Sequence, residues 1–196
     1  MGRPHSPLGQ QYFLIGAAGL RLSEMIPLAR AEAWKALELL PSEPIAHAVL
    51  GAIAAVHDYD WKEADERFKL ARASEPDSPS VQYMYAGHYL SPLGRFEEAL
   101  QQAETVIAQD PLNMLFRGRH LLILLFAEMY ERAIVEAQRM LEFDGRQPGA
   151  HSLTALAHFF LGKLPEAREW AEEAFGRAPL DHLATGLLAG LVKLER

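Results

Sequence analysis

The chain has 196 residues, 49% of them hydrophobic, which is enough to bury a core or a short repeat array and too many for a disordered chain. A formal net charge of −7 argues against a nucleic-acid surface, because the local cluster Arg117, Arg119 and His120 does not outweigh the acidic whole. Cysteine is absent, which excludes disulfides, thiolate metal sites and cysteine nucleophiles, and a cytoplasmic location fits this composition.

Residues 1–9, with Pro4, Pro7 and Gly9, read as a loose leader ahead of a single domain over 10–196. The apolar run 12–20 behind Arg3 imitates a signal peptide, but Gln10 and Gln11 interrupt the approach and no small-residue cleavage site precedes Arg21. The densest apolar run, 121–127, is far shorter than the roughly 18 residues a membrane span needs, so no membrane partner is expected.

Along the chain one pattern keeps returning. Ala99 has counterparts at Ala29, Ala64, Ala133 and Ala167, and Ala103 at Ala33, Phe68, Ala137 and Ala171. Pro111 matches Pro41, Pro76, Gly145 and Pro179, and the bulky Phe96 matches Ile26, Trp61, Tyr130 and Leu164. The cycles are 34 or 35 residues long, a period that signals stacked structural repeats. Each cycle divides into two helices. In the third, a first helix begins near Pro79, carries Tyr83, Tyr85, Ala86, Tyr89 and Leu90, and breaks at residues 92–94; a second starts at Phe96. Small residues four apart let the paired helices approach closely, and one pair cannot bury both its faces, so neighbours must stack.

These residues resemble the tetratricopeptide repeat (TPR) family, through Leu50-Gly51, Trp61, Ala64, Phe68, Ala71 and Pro76 in the second cycle. The resemblance implies an all-α, right-handed superhelical solenoid of antiparallel helix pairs, with five repeats near 10–43, 44–78, 79–113, 114–147 and 148–181 and a terminal helix over 182–196. The extra residue of the 35-residue cycles is expected in the turns around 58–61 and 91–94. The wording HDYDWKEADERF and YAGHYLSPLGRFEEAL is also similar to TPR arrays of bacterial multidomain signalling proteins, which follow a nucleotide cyclase, a Ser/Thr kinase or a winged-helix domain. On that reading the chain is a piece of a larger protein. Repeat four departs from the family pattern, with His120 and Leu121 in place of a large and a small residue and Asp144-Gly145 in place of the closing proline. A looser or shifted pairing is expected there.

Chemistry is not apparent. No zinc-protease, phosphate-loop, dinucleotide or nucleophile-elbow motif occurs, so no enzyme activity and no cofactor is expected. His151 and His158 could share a helix face with His120 nearby, yet they occupy columns that pack inside the repeat, and structural histidines are the better reading. Asp60, three residues before Glu63, reads as a helix cap rather than one of a carboxylate pair with Asp58. The doublets Glu97-Glu98 and Glu172-Glu173 read as solvated charges favouring the helix dipole.

The resemblance supplies a surface instead, because first helices line a concave groove in this family. Its positions fall on Tyr83, Gly87 and Leu90 in repeat three, on Gly118, Leu122, Leu125 and Phe126 in repeat four, and on Ser152, Leu156, Phe159 and Phe160 in repeat five. Several of these could equally fill inter-repeat contacts. Leu14 and Ala18 stand where the family's carboxylate clamp has Lys and Asn, which argues against chaperone tails. The expectation is a non-catalytic protein-interaction scaffold whose partner offers apolar side chains, as an amphipathic helix or extended segment. A regulatory or dimerising region of a larger enzyme or transcription regulator, and a small-ligand sensor, are the rival readings. In the terminal helix Leu183, Leu187, Leu188, Leu191, Val192 and Leu194 spread over more than one face, with Gly186 and Gly190 between them. That implies a truncated sixth repeat or self-association, with Leu188 and Leu191 at the contact.

Overall fold

The structure, a computed structural model, describes residues 5–17, 22–145, 147–179 and 181–194. Among these, eleven α-helices follow one another and no strand occurs: α1 (His5–Ala17), α2 (Leu22–Leu39), α3 (Pro44–Ile53), α4 (Trp61–Ser74), α5 (Pro79–Tyr85), α6 (Phe96–Gln109), α7 (Met114–Phe126), α8 (Tyr130–Phe143), α9 (Pro148–Phe160), α10 (Leu164–Arg177) and α11 (His182–Leu194). Residues 5–9, read above as part of a loose leader, belong to α1. The residues gather into two compact units, Met1–Gln102 and Ala103–Arg196. In the first, α1 packs on α2, α2 on α3 and α3 on α4; in the second, α7 packs on α8, α8 on α9, α9 on α10, and α11 on α9 and α10.

The repeat columns explain the pairing. Ala29, Ala64, Ala99, Ala133 and Ala167 are all wholly buried, as are Ala33, Ala137 and Ala171. At Gly51 a Cβ would stand 2.9 Å from the Phe68 ring, so glycine there sets how closely α3 and α4 approach. Asp60 caps α4 as expected, its carboxylate accepting the Glu63 backbone N–H at 3.0 Å.

The additional residue of the 35-residue cycles lies earlier than expected. α3 and α5 each end in one π-helical turn, Ala54–Asp58 and Ala86–Leu90, which holds one residue more per turn. Repeats four and five, 34 residues each, have no such turn: α7 and α9 close directly at Ala127 and Leu161. After the first helices of repeats two to five the chain passes through the left-handed region once, at Tyr59 (φ 58°), Gly94 (φ 72°), Glu128 (φ 59°) and Gly162 (φ 72°). These positions again stand 35, 34 and 34 residues apart.

A second column ties each first helix to the turn before it. His47 Nε2 lies 2.9 Å from the Pro41 carbonyl, Gln82 Nε2 donates to the Pro76 carbonyl at 3.1 Å, and Arg117 Nε donates to the Pro111 carbonyl at 2.7 Å. In repeat five, where glycine replaces the proline, His151 Nδ1 lies 2.9 Å from the Gln147 carbonyl instead. All four side chains are buried, and in each a polar side-chain atom meets its need for a partner at a turn carbonyl.

Candidate functional site

The two units differ in what they leave exposed. In the first, Tyr83, Gly87 and Leu90 do not line an open groove; all three are buried. The reason is an aromatic filling. Phe13 of α1 is wholly buried and meets the His88 ring edge-on at 4.9 Å, and the Tyr83 ring lies 6.3 Å from the same imidazole. On Tyr85 and Tyr89, stacked at 5.4 Å, the Phe68 ring packs at 5.3 and 5.5 Å. Burial together with a 3.0 Å hydrogen bond to Asp65 pushes the Tyr89 hydroxyl up to about 12. The expected Leu14 is half-buried, and Ala18 lies outside the described residues.

In the second unit part of the expected surface is open. Phe126 at the end of α7 is 60% exposed and Phe160 at the end of α9 is 54% exposed. Leu122, Leu156, Phe159 and Gly118 are half-buried, whereas Leu125 and Ser152 are buried and cannot meet a partner. Phe160 stacks on Tyr130 at 5.3 Å and 18°, and Phe159 meets Phe160 edge-on at 5.8 Å. Tyr130 was grouped in the sequence only with the bulky repeat column of Phe96. Its stack on Phe160 leaves the ring half-buried and extends the apolar surface to the start of α8.

The same unit holds a polar cleft of about 580 Å³, where repeat four departs from the family pattern. Glu104, Ile107 and Ala108 of α6 form one side, Arg117, His120 and Leu124 of α7 the floor, and the α8 face carrying Arg132, Val135, Glu136 and Arg139 the other side. Arg117 Nη1 donates to Glu136 Oε1 at 2.6 Å, and both side chains are buried. His120 Nε2 is 3.7 Å from Glu104 Oε1 and His120 Nδ1 is 3.9 Å from Glu136 Oε2, beyond hydrogen-bond reach. Burial holds the His120 imidazole below its usual value; the two carboxylates oppose this, and Arg132 and Arg117 add to it. The α8 charges belong to no motif and were not singled out in the sequence. The signal available was their i, i+3/i+4 spacing on either side of Val135.

The remaining expected sites are structural. His151 is buried against Trp170, ring centroids 5.6 Å apart. Leu191, expected at a self-association contact, is 2% exposed, because it and Ala184 form the side of α11 that packs on α9 and α10. Leu188 is half-buried, and Val192 and Leu194 are the exposed large side chains of that helix. Among the described residues no cluster of three or more metal-ligating side chains occurs, and no helix is long and apolar enough to cross a membrane.

The thermophilic TPR protein of Thermus thermophilus superposes with a TM-score of 0.72 over 94% of this chain and 98% of its own, at 18% identity. Human tetratricopeptide repeat protein 13 is 36% identical over 119 residues, 59% of this chain but only 14% of that protein. The chain has the fold of a tetratricopeptide repeat solenoid. No family model matches the sequence. The second TPR domain of human RPAP3, solved in complex with an HSP70 peptide, is 26% identical, with a TM-score of 0.50 over 58% of this chain and 98% of that domain. The TPR architecture accounts for the buried alanine columns and the paired helices.

Proposed function

We propose that the chain is a non-catalytic protein-interaction module whose second unit binds a partner segment through apolar side chains. The observation that carries this reading is the exposure of Phe126 and Phe160, 60% and 54%, at the ends of two successive first helices of the same unit. Large aromatics left in water at the ends of two first helices lose roughly 1.5–3 kcal/mol each that a partner's apolar surface would recover. Phe159, Leu122 and Leu156 flank them and supply the half-buried margin of the surface. Peptide binding by a TPR domain of related fold supports the class of partner.

Affinity capture with the purified chain tests it. The variant Phe126→Ser/Phe160→Ser is expected to retain far less of whatever the parent captures, while Glu97→Gln/Glu98→Gln retains it. Equal loss from both would move the working surface to the charged second helices and contradict the reading.

A further inference from the structure

The polar cleft is lined by none of the residues of the apolar surface, and its chemistry is different. We propose that Arg132 and His120 form a receptor for a partner's carboxylate group, and that Glu104 is a resident carboxylate occupying it.

Glu104 Oε1 accepts from Arg132 Nη2 at 3.1 Å and stands 3.7 Å from His120 Nε2, so one glutamate oxygen already faces both groups. Glu104 and Arg132 are each 55% exposed, and a solvent-screened ion pair of that kind contributes little, so it is readily displaced. The other carboxylate at the imidazole, Glu136, is 4% exposed, held by Arg117 at 2.6 Å and by Arg139 at 3.6 Å, and is not exchangeable in this way. Neither ring nitrogen of His120 has a hydrogen-bond partner although the residue is 8% exposed, a costly arrangement that a closer oxygen would relieve. Ile107, Ala108, Val135 and Leu124 give the cleft an apolar lining beside this pair, as an aliphatic stem behind a carboxylate requires.

Charge fixes the conditions. With His120 neutral, Arg117, Arg132 and Arg139 balance Glu104, Glu131 and Glu136 in the cleft. Protonation of His120 leaves the cleft with one net positive charge, so carboxylate binding and proton uptake favour each other. Binding therefore tightens as the pH falls towards the depressed value of His120.

The test is titration of the full chain with acetyl-Ala-Glu-Ala-amide and its Gln counterpart, followed by NMR shifts of the His120 ring. Glu104→Gln should tighten the Glu peptide by about fivefold, the factor corresponding to a surface ion pair of 1 kcal/mol, with no gain for the Gln peptide. Adding Arg132→Gln to that variant should abolish the gain. Glu131→Gln removes the same charge from the rim and should have a smaller effect. Equal tightening by Glu104→Gln and Glu131→Gln would reduce the effect to net charge and overturn the proposal, as would ring shifts unaffected by Arg132→Gln. Inorganic phosphate competing as well as the Glu peptide would overturn the assignment to a carboxylate. The capture experiment with the phenylalanine variants stands apart from all of these outcomes.

Discussion

Glu128 and Tyr59 hold left-handed backbone that glycine occupies at Gly94 and Gly162. A side chain there costs about 1–2 kcal/mol, partly offset by the entropy glycine adds to the unfolded chain. Glu128→Gly should therefore raise stability by about 0.5–1 kcal/mol in thermal unfolding. The opposite sign is expected at Ala99, which is wholly buried: Ala99→Leu should cost roughly 1–3 kcal/mol while far-UV circular dichroism keeps its helical shape. An unchanged midpoint would put Ala99 on the wrong face. Histidines set a pH dependence. Burial lowers His47 and His120 from the usual 6.5, so the unfolded chain binds more protons between the depressed values and 6.5. Their contribution is complete above 6.5 and is lost as the pH falls through the folded values. The unfolding midpoint should drop as the pH falls below 6.5, and His120→Gln should flatten part of that slope. The alanine columns were legible because close approach of two helices demands a small residue at each crossing, and the crossings recur with the repeat. The left-handed positions were not, since Tyr and Glu give no sign of positive φ.

At the scale of helices, the period was readable but the placement of the additional residue was not. The broken sequence at residues 92–94 drew attention to the turn, whereas the insertion is absorbed within Ala86–Leu90 by widening a helical turn, which no residue type announces. Burial of first-helix residues was also beyond the sequence. Leu90 and Leu122 are chemically alike, yet Leu90 is wholly buried and Leu122 half-buried; among the aromatics, Tyr83 is filled in beside Phe13 and His88. The buried pair Arg117–Glu136 joins α7 to α8. Glu136→Ala should destabilise by about 3–5 kcal/mol because it leaves a buried guanidinium without its carboxylate. Arg117→Met/Glu136→Leu should recover most of that loss in the same unfolding experiment. A double variant as unstable as the single one would mean that shape rather than charge holds the two helices.

For the whole chain, the repeat signal identified the fold, and the proposed working surface lies in one of the two units. Of the groove positions carried over from the family, Phe126 and Phe160 are open, whereas Tyr83, Leu90 and Leu125 are packed. Selection of random peptides displayed on phage against the purified chain is the most direct measurement of the central claim. The account predicts that retained sequences carry large apolar side chains and lose binding to Phe126→Ser/Phe160→Ser. Retained sequences that are polar, or that bind this variant as tightly as the parent, would contradict it.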